Sequence, residues 1–257
     1  MPEHVSYAVA GGVATLTMDH AETRNALTAE LVNGLGDGLA RAEADPDVRV
    51  VVLTNRGAAF CAGADLKGVS QEEPRYTLVE LLDAIQTSAT PVVGRIAGHC
   101  TGGGVGLAAA CDVSLMVADA VMGFTEVRIG VVPAIISVVC LPKMRRGDAM
   151  ELFLSGEKIA AARAAEVGLV TRAVPPEALD GAVAGVVGAI ARGGPEALGL
   201  AKRLVNEVPA MDRQAAFAWT AEISAERFAS TEAAEGIAAF RERRDAAWVS
   251  ADGGAGR

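Results

Sequence analysis

The sequence predicts an α/β fold with a mainly parallel sheet and a helical C-terminal region. Three observations lead to this prediction. Short β-branched runs alternate with segments of helical periodicity through the first two thirds of the 257-residue chain. The run VRVVVLT is short and rich in β-branched residues, as is typical of a buried strand. From about Pro175 onward, only helical periodicity remains.

The chain opens with a predicted β-hairpin. Residues 4–18 alternate apolar and polar side chains on both sides of a Gly-Gly pair, which is typical of two strands joined by a glycine turn. Thr28 begins a helix that is predicted to end near Ala44, where an Asp-Pro pair follows. The next run, VRVVVLT at 48–54, is predicted to be a buried strand.

The middle of the chain continues this alternation. A loop with the sequence AFCAGADLK is followed by a predicted helix near 76–88 and by a predicted strand, PVVGRIAG, at 91–98. A glycine-rich loop, a helix and a further strand over 111–118 come next. Strands that alternate with helices indicate crossover connections, and we therefore expect most neighbouring strands to be parallel.

The C-terminal third carries no strand signal. Three helical stretches are predicted there, at 177–191, 195–208 and 212–248. We therefore expect an α/β core over residues 1–190 and a helical region over 191–250. The tail, 251–257, has nothing apolar to bury and is expected to fray.

Charge and hydropathy exclude several classes of partner. The net charge of -9 and the isoelectric point near 4.9 argue against nucleic acid, whose phosphates the protein would repel, and no local basic patch is visible. The first residues lack a basic region followed by an apolar stretch, and the longest apolar run, VVPAIISVVCL, is too short to span a bilayer. We expect a soluble, cytoplasmic protein that contacts no membrane.

The four cysteines lie in apolar or glycine-rich surroundings without CxxC spacing: Cys61, Cys100, Cys111 and Cys140. This pattern suggests neither a zinc site nor a disulfide framework. We predict four buried thiols and no metal ligands.

The segment CTGGGVGLAAACD, at 100–112, carries the strongest local signal of function. Glycine lets a backbone N–H approach a ligand closely, and a helix N-terminus adds free donors and partial positive charge, so such a loop suits an anion or a developing oxyanion. Two alternatives are tight packing of helix on strand and dinucleotide binding through GVGLAA. The second is disfavoured because the pattern lies mid-chain and Asp112 opens the next strand instead of closing it.

Four segments, in this order, resemble the enoyl-CoA hydratase/isomerase family, also called the crotonase family. HAETRNALT is similar to the family's early CoA-contacting loop, and AFCAGADLK is similar to its first oxyanion-hole segment. GHCTGGGVGL resembles the second oxyanion-hole segment, and GFTEVRIGVVP resembles the catalytic-acid segment. The likeness covers nearly the whole chain and implies a crotonase-like fold of ββα repeats with a helical C-terminal region.

The resemblance also implies an active site. By motif position, the N–H groups of Ala64 and Gly103 would form an oxyanion hole for a thioester oxygen, and one such donor contributes about 3 to 4 kcal/mol in other enzymes. Glu126 matches the catalytic glutamate. A lone glutamate is ordinarily a solvated surface residue, and only the motif position of Glu126 distinguishes it. Its neighbours Phe124 and Ile129 favour partial burial and a raised pKa.

The sequence departs from the family at Gly106, where two-glutamate hydratases carry a second glutamate. A single carboxylate suits a 3-enoyl-CoA to 2-enoyl-CoA isomerase, which carries one proton between C4 and C2. The glycine loop and FTEVRIGVVPAIIS also resemble a single-glutamate branch that includes methylglutaconyl-type CoA hydratases. On that likeness we predict an enoyl-CoA hydratase, a lyase, with the isomerase as the alternative. A family member that binds acyl-CoA without turnover is an alternative of another class.

Two further features of the sequence concern the site around Gly106, where the second glutamate is missing. Ser137, His99 or an ordered water could replace the missing carboxylate. The residues after Pro133 are bulky where many relatives have glycines, and this change would reshape the acyl pocket.

The resemblance implies no prosthetic group and no metal, and coenzyme A enters as part of the substrate. The predicted CoA-contacting residues are Arg24, Ala26, Ala62, Asp65, Leu66, Phe240 and Arg243. The last two match positions that in relatives reach the CoA of a neighbouring subunit, so residues 191–250 are expected to assemble a homotrimer or a hexamer of two trimers. As alternatives, Asp65 organises a turn, and the aromatic residues of the helical region close the protein's own core.

Overall fold

A computed structural model describes residues 4–249 of the chain. Within this range, ten strands form two sheets. The strands are β1 (Val5–Ala10), β2 (Val13–Met18), β3 (Val50–Asn55), β4 (Ala59–Cys61), β5 (Val92–Ile96), β6 (His99–Thr101), β7 (Val113–Val117), β8 (Val121–Gly123), β9 (Lys158–Ala160) and β10 (Arg172–Val174).

The helices follow the strands in alternation and then continue alone. They are α1 (Ala29–Ala44), α2 (Leu78–Thr87), α3 (Gly103–Ala110), α4 (Ala134–Cys140), α5 (Arg146–Ser155), α6 (Ala161–Glu166), α7 (Leu179–Ala191), α8 (Pro195–Glu207), α9 (Arg213–Phe228) and α10 (Thr231–Glu242). None of the helices between residues 4 and 249 combines the length and the apolar character needed to cross a membrane.

The larger sheet has the order β1-β2-β3-β5-β7-β10, and the smaller sheet has the order β4-β6-β8-β9. Only the pairs β1–β2 and β8–β9 are antiparallel. This confirms the prediction of a mainly parallel α/β fold. The central strand β3 is buried at all six positions, as the β-branched run VRVVVLT predicts.

The predicted element boundaries near the N-terminus are confirmed. Gly11 and Gly12 adopt positive φ angles between β1 and β2, where glycine is the residue that turns without strain. The hydroxyl of Thr28 accepts a hydrogen bond from the N–H of Leu31 at 3.3 Å and so caps α1, which ends at Ala44.

Two predictions of secondary structure were wrong. The segments AFCAGADLK and GHCTGGG were expected to be loops, but each contributes a three-residue strand, β4 and β6, to the smaller sheet. Strands of three residues are too short to show a period of two, so the smaller sheet leaves no periodic signal in the sequence. The helical stretch predicted over 212–248 contains two helices, α9 and α10, and the side chain of Ser230 caps the second of them.

The C-terminal part is helical as predicted, but its helices differ in burial. Leu179, Val183 and Val187 of α7 join the core, which places the end of the core near residue 190. Helix α9 has no buried residue, and α10 buries only Ala239. The predicted tail at 251–257 lies outside the described residues.

Candidate active site

Two loops meet beyond the ends of the adjacent parallel strands β4 and β6. Because parallel strands end at the same edge of a sheet, the segments after Cys61 and Thr101 lie side by side. Gly63 permits this contact. A Cβ placed on it would lie 2.8 Å from the carbonyl oxygen of Thr101 and 3.3 Å from the nitrogen of Gly103, and its φ of 85° is in the left-handed region.

Each of the three consecutive glycines is required for a different reason. Gly102 has a φ of 54°, which disfavours any residue with a side chain. A Cβ on Gly103 would lie 2.4 Å from Cδ1 of Leu27, and a Cβ on Gly104 would lie 2.2 Å from the carbonyl oxygen of Cys61. Side chains at these positions would therefore push the loops apart.

Among residues 4–249, the loops present two backbone N–H groups that have no backbone acceptor. Gly103 is the first residue of α3, so its N–H has no intrahelical acceptor and lies at the positive end of the helix. The N–H of Ala64 has no backbone acceptor among residues 4–249, and Ala64 itself is exposed. Donors of this kind on neighbouring segments can stabilise negative charge on a ligand oxygen.

Glu126 lies beside these donors. It follows β8, the neighbour of β6, and begins a 3-10 turn that ends at Ile129. A Cβ on Gly102 would be 3.3 Å from Oε1 of Glu126, whereas Oε2 is buried and has no hydrogen-bond partner among the described residues. Burial desolvates the charged form and raises the pKa of Glu126. A partly buried carboxylate with a free oxygen is suited to accept and donate a proton.

The two polar residues suggested as replacements for a second carboxylate are engaged elsewhere. The hydroxyl of Ser137 donates a hydrogen bond to the carbonyl oxygen of Ala134 at 2.6 Å, within its own helix. Nδ1 of His99 accepts a hydrogen bond from the N–H of Val121 at 3.1 Å. His99 begins β6, whereas Gly103 lies beyond the other end of that strand, in α3.

Two of the residues predicted to contact CoA, Arg24 and Ala62, lie close together. The N–H of Ala62 donates to the carbonyl oxygen of Arg24 at 3.1 Å, so the HAETRNALT loop lies against the first oxyanion-hole segment. Arg24 and Ala62 line a cavity of about 490 Å³ together with Arg56 and Lys158. Sequence reasoning missed these last two basic side chains, because they come from the end of β3 and from β9 and share no motif with Arg24.

The remaining predicted CoA contacts differ in exposure. Ala26 is buried and Leu66 is exposed. Oδ2 of Asp65 accepts hydrogen bonds from the N–H groups of Val69 and Ser70 at 2.7 and 3.1 Å, which fits the alternative that Asp65 organises its loop.

Phe240 and Arg243 lie apart from this cavity. Both are exposed at the end of α10, and neither lines the cavity with Arg24. The side chain of Phe240 is 85% exposed, so within one chain it contacts little.

Comparison with known proteins shows the family to which the chain is similar. The model of the enoyl-CoA hydratase/isomerase family matches residues 8–251. A Thermus thermophilus protein, provisionally named an enoyl-CoA hydratase, is 37% identical over 244 residues, which are 91% of this chain and 96% of that protein. The Mycobacterium tuberculosis enoyl-CoA hydratase EchA19 is 31% identical over 245 residues, 91% of this chain and 92% of the relative.

A solved structure is also similar. The crystal structure of a Mycobacterium smegmatis enoyl-CoA hydratase superimposes with a TM-score of 0.87 at 30% identity, covering 95% of this chain and 98% of that one. The similarity extends over both sheets and the helical C-terminal part.

Proposed function

Because the chain belongs to the enoyl-CoA hydratase/isomerase family, we propose that it adds water across the 2,3 double bond of an enoyl-CoA thioester, with Glu126 as the single acid and base. One observation carries the proposal. The carboxyl group of Glu126, with its free oxygen, lies next to Gly102, immediately before the unpaired N–H of Gly103. These groups are the ones that proton transfer beside a polarised thioester requires.

The two donors would bind the thioester oxygen. In this proposal the N–H groups of Ala64 and Gly103 donate to the same oxygen, and the positive end of α3, where Gly103 is the first residue, would add to their field. When water attacks C3, the electron pair of the double bond moves toward the thioester and places negative charge on this oxygen. The donors therefore stabilise the enolate more than they stabilise the neutral substrate.

Glu126 would carry one proton through the reaction. Its carboxylate accepts a proton from water as the water oxygen bonds to C3. The protonated Glu126 then donates that proton to C2 as the enolate returns to a thioester, which regenerates the carboxylate. The net change is one water added across C2 and C3. The raised pKa of Glu126 lies closer to neutral pH, where one carboxyl group can act first as a base and then as an acid.

The CoA portion would lie along the loops that flank the donors. The residues that we propose to contact it are Arg24, Ala26, Ala62, Asp65 and Leu66. The positive charges of Arg24 and Lys158 suit the CoA phosphates. We further propose that Phe240 and Arg243, which are exposed on α10, reach the CoA bound to a neighbouring copy in a homotrimer or a hexamer.

The glycine at position 106 favours a second candidate, double-bond isomerisation. With one carboxylate beside the donors, the same Glu126 could remove a proton from C4 of a 3-enoyl-CoA and return it to C2 through the same enolate. This reaction requires no water to be activated, so it would use the site without a second acid or base.

One experiment separates these candidates. We would follow the absorbance of the conjugated thioester with a 2-enoyl-CoA in one cuvette and a 3-enoyl-CoA in the other. Hydration lowers the first signal, and isomerisation raises the second. We expect a fall in the first cuvette, and Glu126→Gln should reduce the rate by about 100-fold to 10,000-fold.

The matched control is Glu177→Gln, which changes an exposed glutamate far from the donors and should leave the rate unchanged. Full turnover by Glu126→Gln would contradict the proposal. Binding of both thioesters without a change in either cuvette would identify a non-catalytic acyl-CoA binder.

A further inference from the structure

Helix α3 carries a second glycine on the face that presents the donor. Gly103 and Gly106 are three residues apart, and residues at this spacing lie on the same side of a helix, one turn apart. An acyl group whose oxygen is bound at Gly103 therefore has Gly106 as the next residue on this face. Gly106 is buried, so another part of the protein covers it.

The residue that covers Gly106 is Ile136 of α4. A Cβ placed on Gly106 would lie 2.3 Å from Cγ2 of Ile136 and 2.8 Å from its Cβ. Turning the isoleucine side chain would not relieve the second contact, because the position of a Cβ is set by the backbone. Ile136 thus occupies the space of any side chain at position 106, and the two residues are sterically matched.

The same face of α4 continues toward the carboxylate. Cys140 follows Ile136 by one turn and lies on the same side of the helix. Burial raises the pKa of the Cys140 thiol to about 12, and the charge of Glu126 contributes to this rise, so Cys140 lies within electrostatic range of Glu126. Ile136 is 3% exposed, and its side chain packs against α3 at Gly106.

We propose that Ile136 is a specificity-determining residue, which closes the acyl end of the site and limits the substrate to short acyl groups. Gly106 provides the space that the isoleucine fills. This inference rests on the proposed function, because it concerns the thioester that Ala64, Gly103 and Glu126 would bind. It adds the class of substrate, a 2-enoyl-CoA with a short acyl chain.

The test compares two substrates in Ile136→Ala. We would measure kcat/KM for 2-butenoyl-CoA and 2-octenoyl-CoA and take their ratio. A misfit of about one methylene in an apolar pocket changes such a ratio by roughly 10-fold to 200-fold. We expect Ile136→Ala to shift the ratio toward the longer substrate by at least about tenfold. Val138→Ala is the matched control, since this valine of the same helix is 72% exposed, and its ratio should equal that of the wild type.

A further pair of variants tests the steric match itself. Gly106→Ala alone should lower the melting temperature, and adding Ile136→Ala should recover part of the loss, because the alanine Cβ then has space. If Ile136→Ala fails to fold, Ile136→Val replaces it. The affinities for butanoyl-CoA and octanoyl-CoA are then compared, and we expect a smaller shift of their ratio toward the longer ligand.

The outcomes separate this inference from the proposed function. If the wild type hydrates 2-butenoyl-CoA but Ile136→Ala lowers both activities equally, Ile136 is only a packing residue and the inference is overturned while the function stands. If the wild type neither binds nor converts either thioester, the proposed function fails and the inference fails with it.

Discussion

The two glycine segments and the last two helices differ in what fixes their positions. Gly63, Gly103 and Gly104 each contact a neighbouring segment so closely that one added carbon would clash. Helix α9, by contrast, has no buried residue, and Phe228 and Phe240 point away from the chain. The two glycine segments are therefore positioned by packing within a single chain, whereas α9 and α10 present an apolar surface that their own chain leaves open.

A few polar contacts attach the C-terminal helices to the core. Nζ of Lys202 on α8 lies 2.9 Å from Oδ2 of Asp112 and donates to the carbonyl oxygen of Ile85. The buried guanidinium of Arg49 donates to the carbonyl oxygens of Gly193 and Trp248. A single substitution can remove one of these contacts and leave the others in place. In the glycine segments, by contrast, one added side chain would clash with a whole neighbouring segment.

The largest effect is expected where the glycine segments are most crowded. Gly104→Ala places a Cβ against the backbone carbonyl of Cys61, which no side-chain movement relieves, and we expect the free energy of unfolding to fall by about 3 kcal/mol. Chemical denaturation measures the loss. Gly185→Ala in α7 is the control, because a Cβ there has nothing within 4 Å, and it should raise stability by about 0.5 to 1 kcal/mol. If Gly104→Ala and Gly185→Ala changed the free energy of unfolding equally, crowding would not distinguish the glycine segments from α7.

A smaller loss is expected at the attachment of α8. Lys202→Met keeps the length of the side chain but leaves Asp112 without its cation, and we expect a loss of about 2 kcal/mol. The loss stays below that of a fully buried pair because Asp112 is 22% exposed. Arg203→Met, which removes an exposed pair with Glu207, should cost less than about 0.5 kcal/mol. A negligible loss in Lys202→Met would mean that packing alone holds α8.

The exposed end of α10 should affect binding more than stability. Phe240→Ala removes a side chain that is 85% exposed, so we expect an unchanged melting temperature. If a neighbouring copy uses this residue, KM for the CoA thioester should rise about fivefold, roughly 1 kcal/mol, while kcat stays constant. An unchanged KM together with a monomeric mass in solution would argue against the proposed assembly.

A small effect on stability is expected at Glu126, whose carboxyl group is partly buried. Its pKa is raised by burial, so the folded chain binds more protons than the unfolded chain between the two pKa values. Stability therefore falls as pH rises through this window. Glu126→Gln should be slightly more stable than the wild type at neutral pH, by less than about 1 kcal/mol since water screens part of the group.

Two pH series check this prediction. The difference in unfolding free energy between wild type and Glu126→Gln should shrink toward low pH. In the wild type, kcat/KM for hydration should decline as pH falls through the raised pKa, at a higher pH than an exposed glutamate would give. A decline at the ordinary pH of an exposed glutamate would contradict the burial of this carboxylate.

Much of the larger sheet could be predicted from the sequence, because its determinants are local. The hairpin at Gly11 and Gly12, the cap at Thr28 and the buried strand β3 each follow from a pattern within a few neighbouring residues. The smaller sheet could not, since β4, β6 and β8 are three residues long and are stabilised by pairing with one another rather than by periodicity.

The site divides in the same way. The resemblance to the family identified Ala64, Gly103 and Glu126 as candidates, because each motif that carries it lies in one continuous stretch of the sequence. The contact of Gly106 with Ile136, the unpartnered oxygen of Glu126 and the approach of Lys158 to Arg24 were decided only by the tertiary structure. Each of these joins segments far apart in the chain, and their distance is set by how sheets and helices pack.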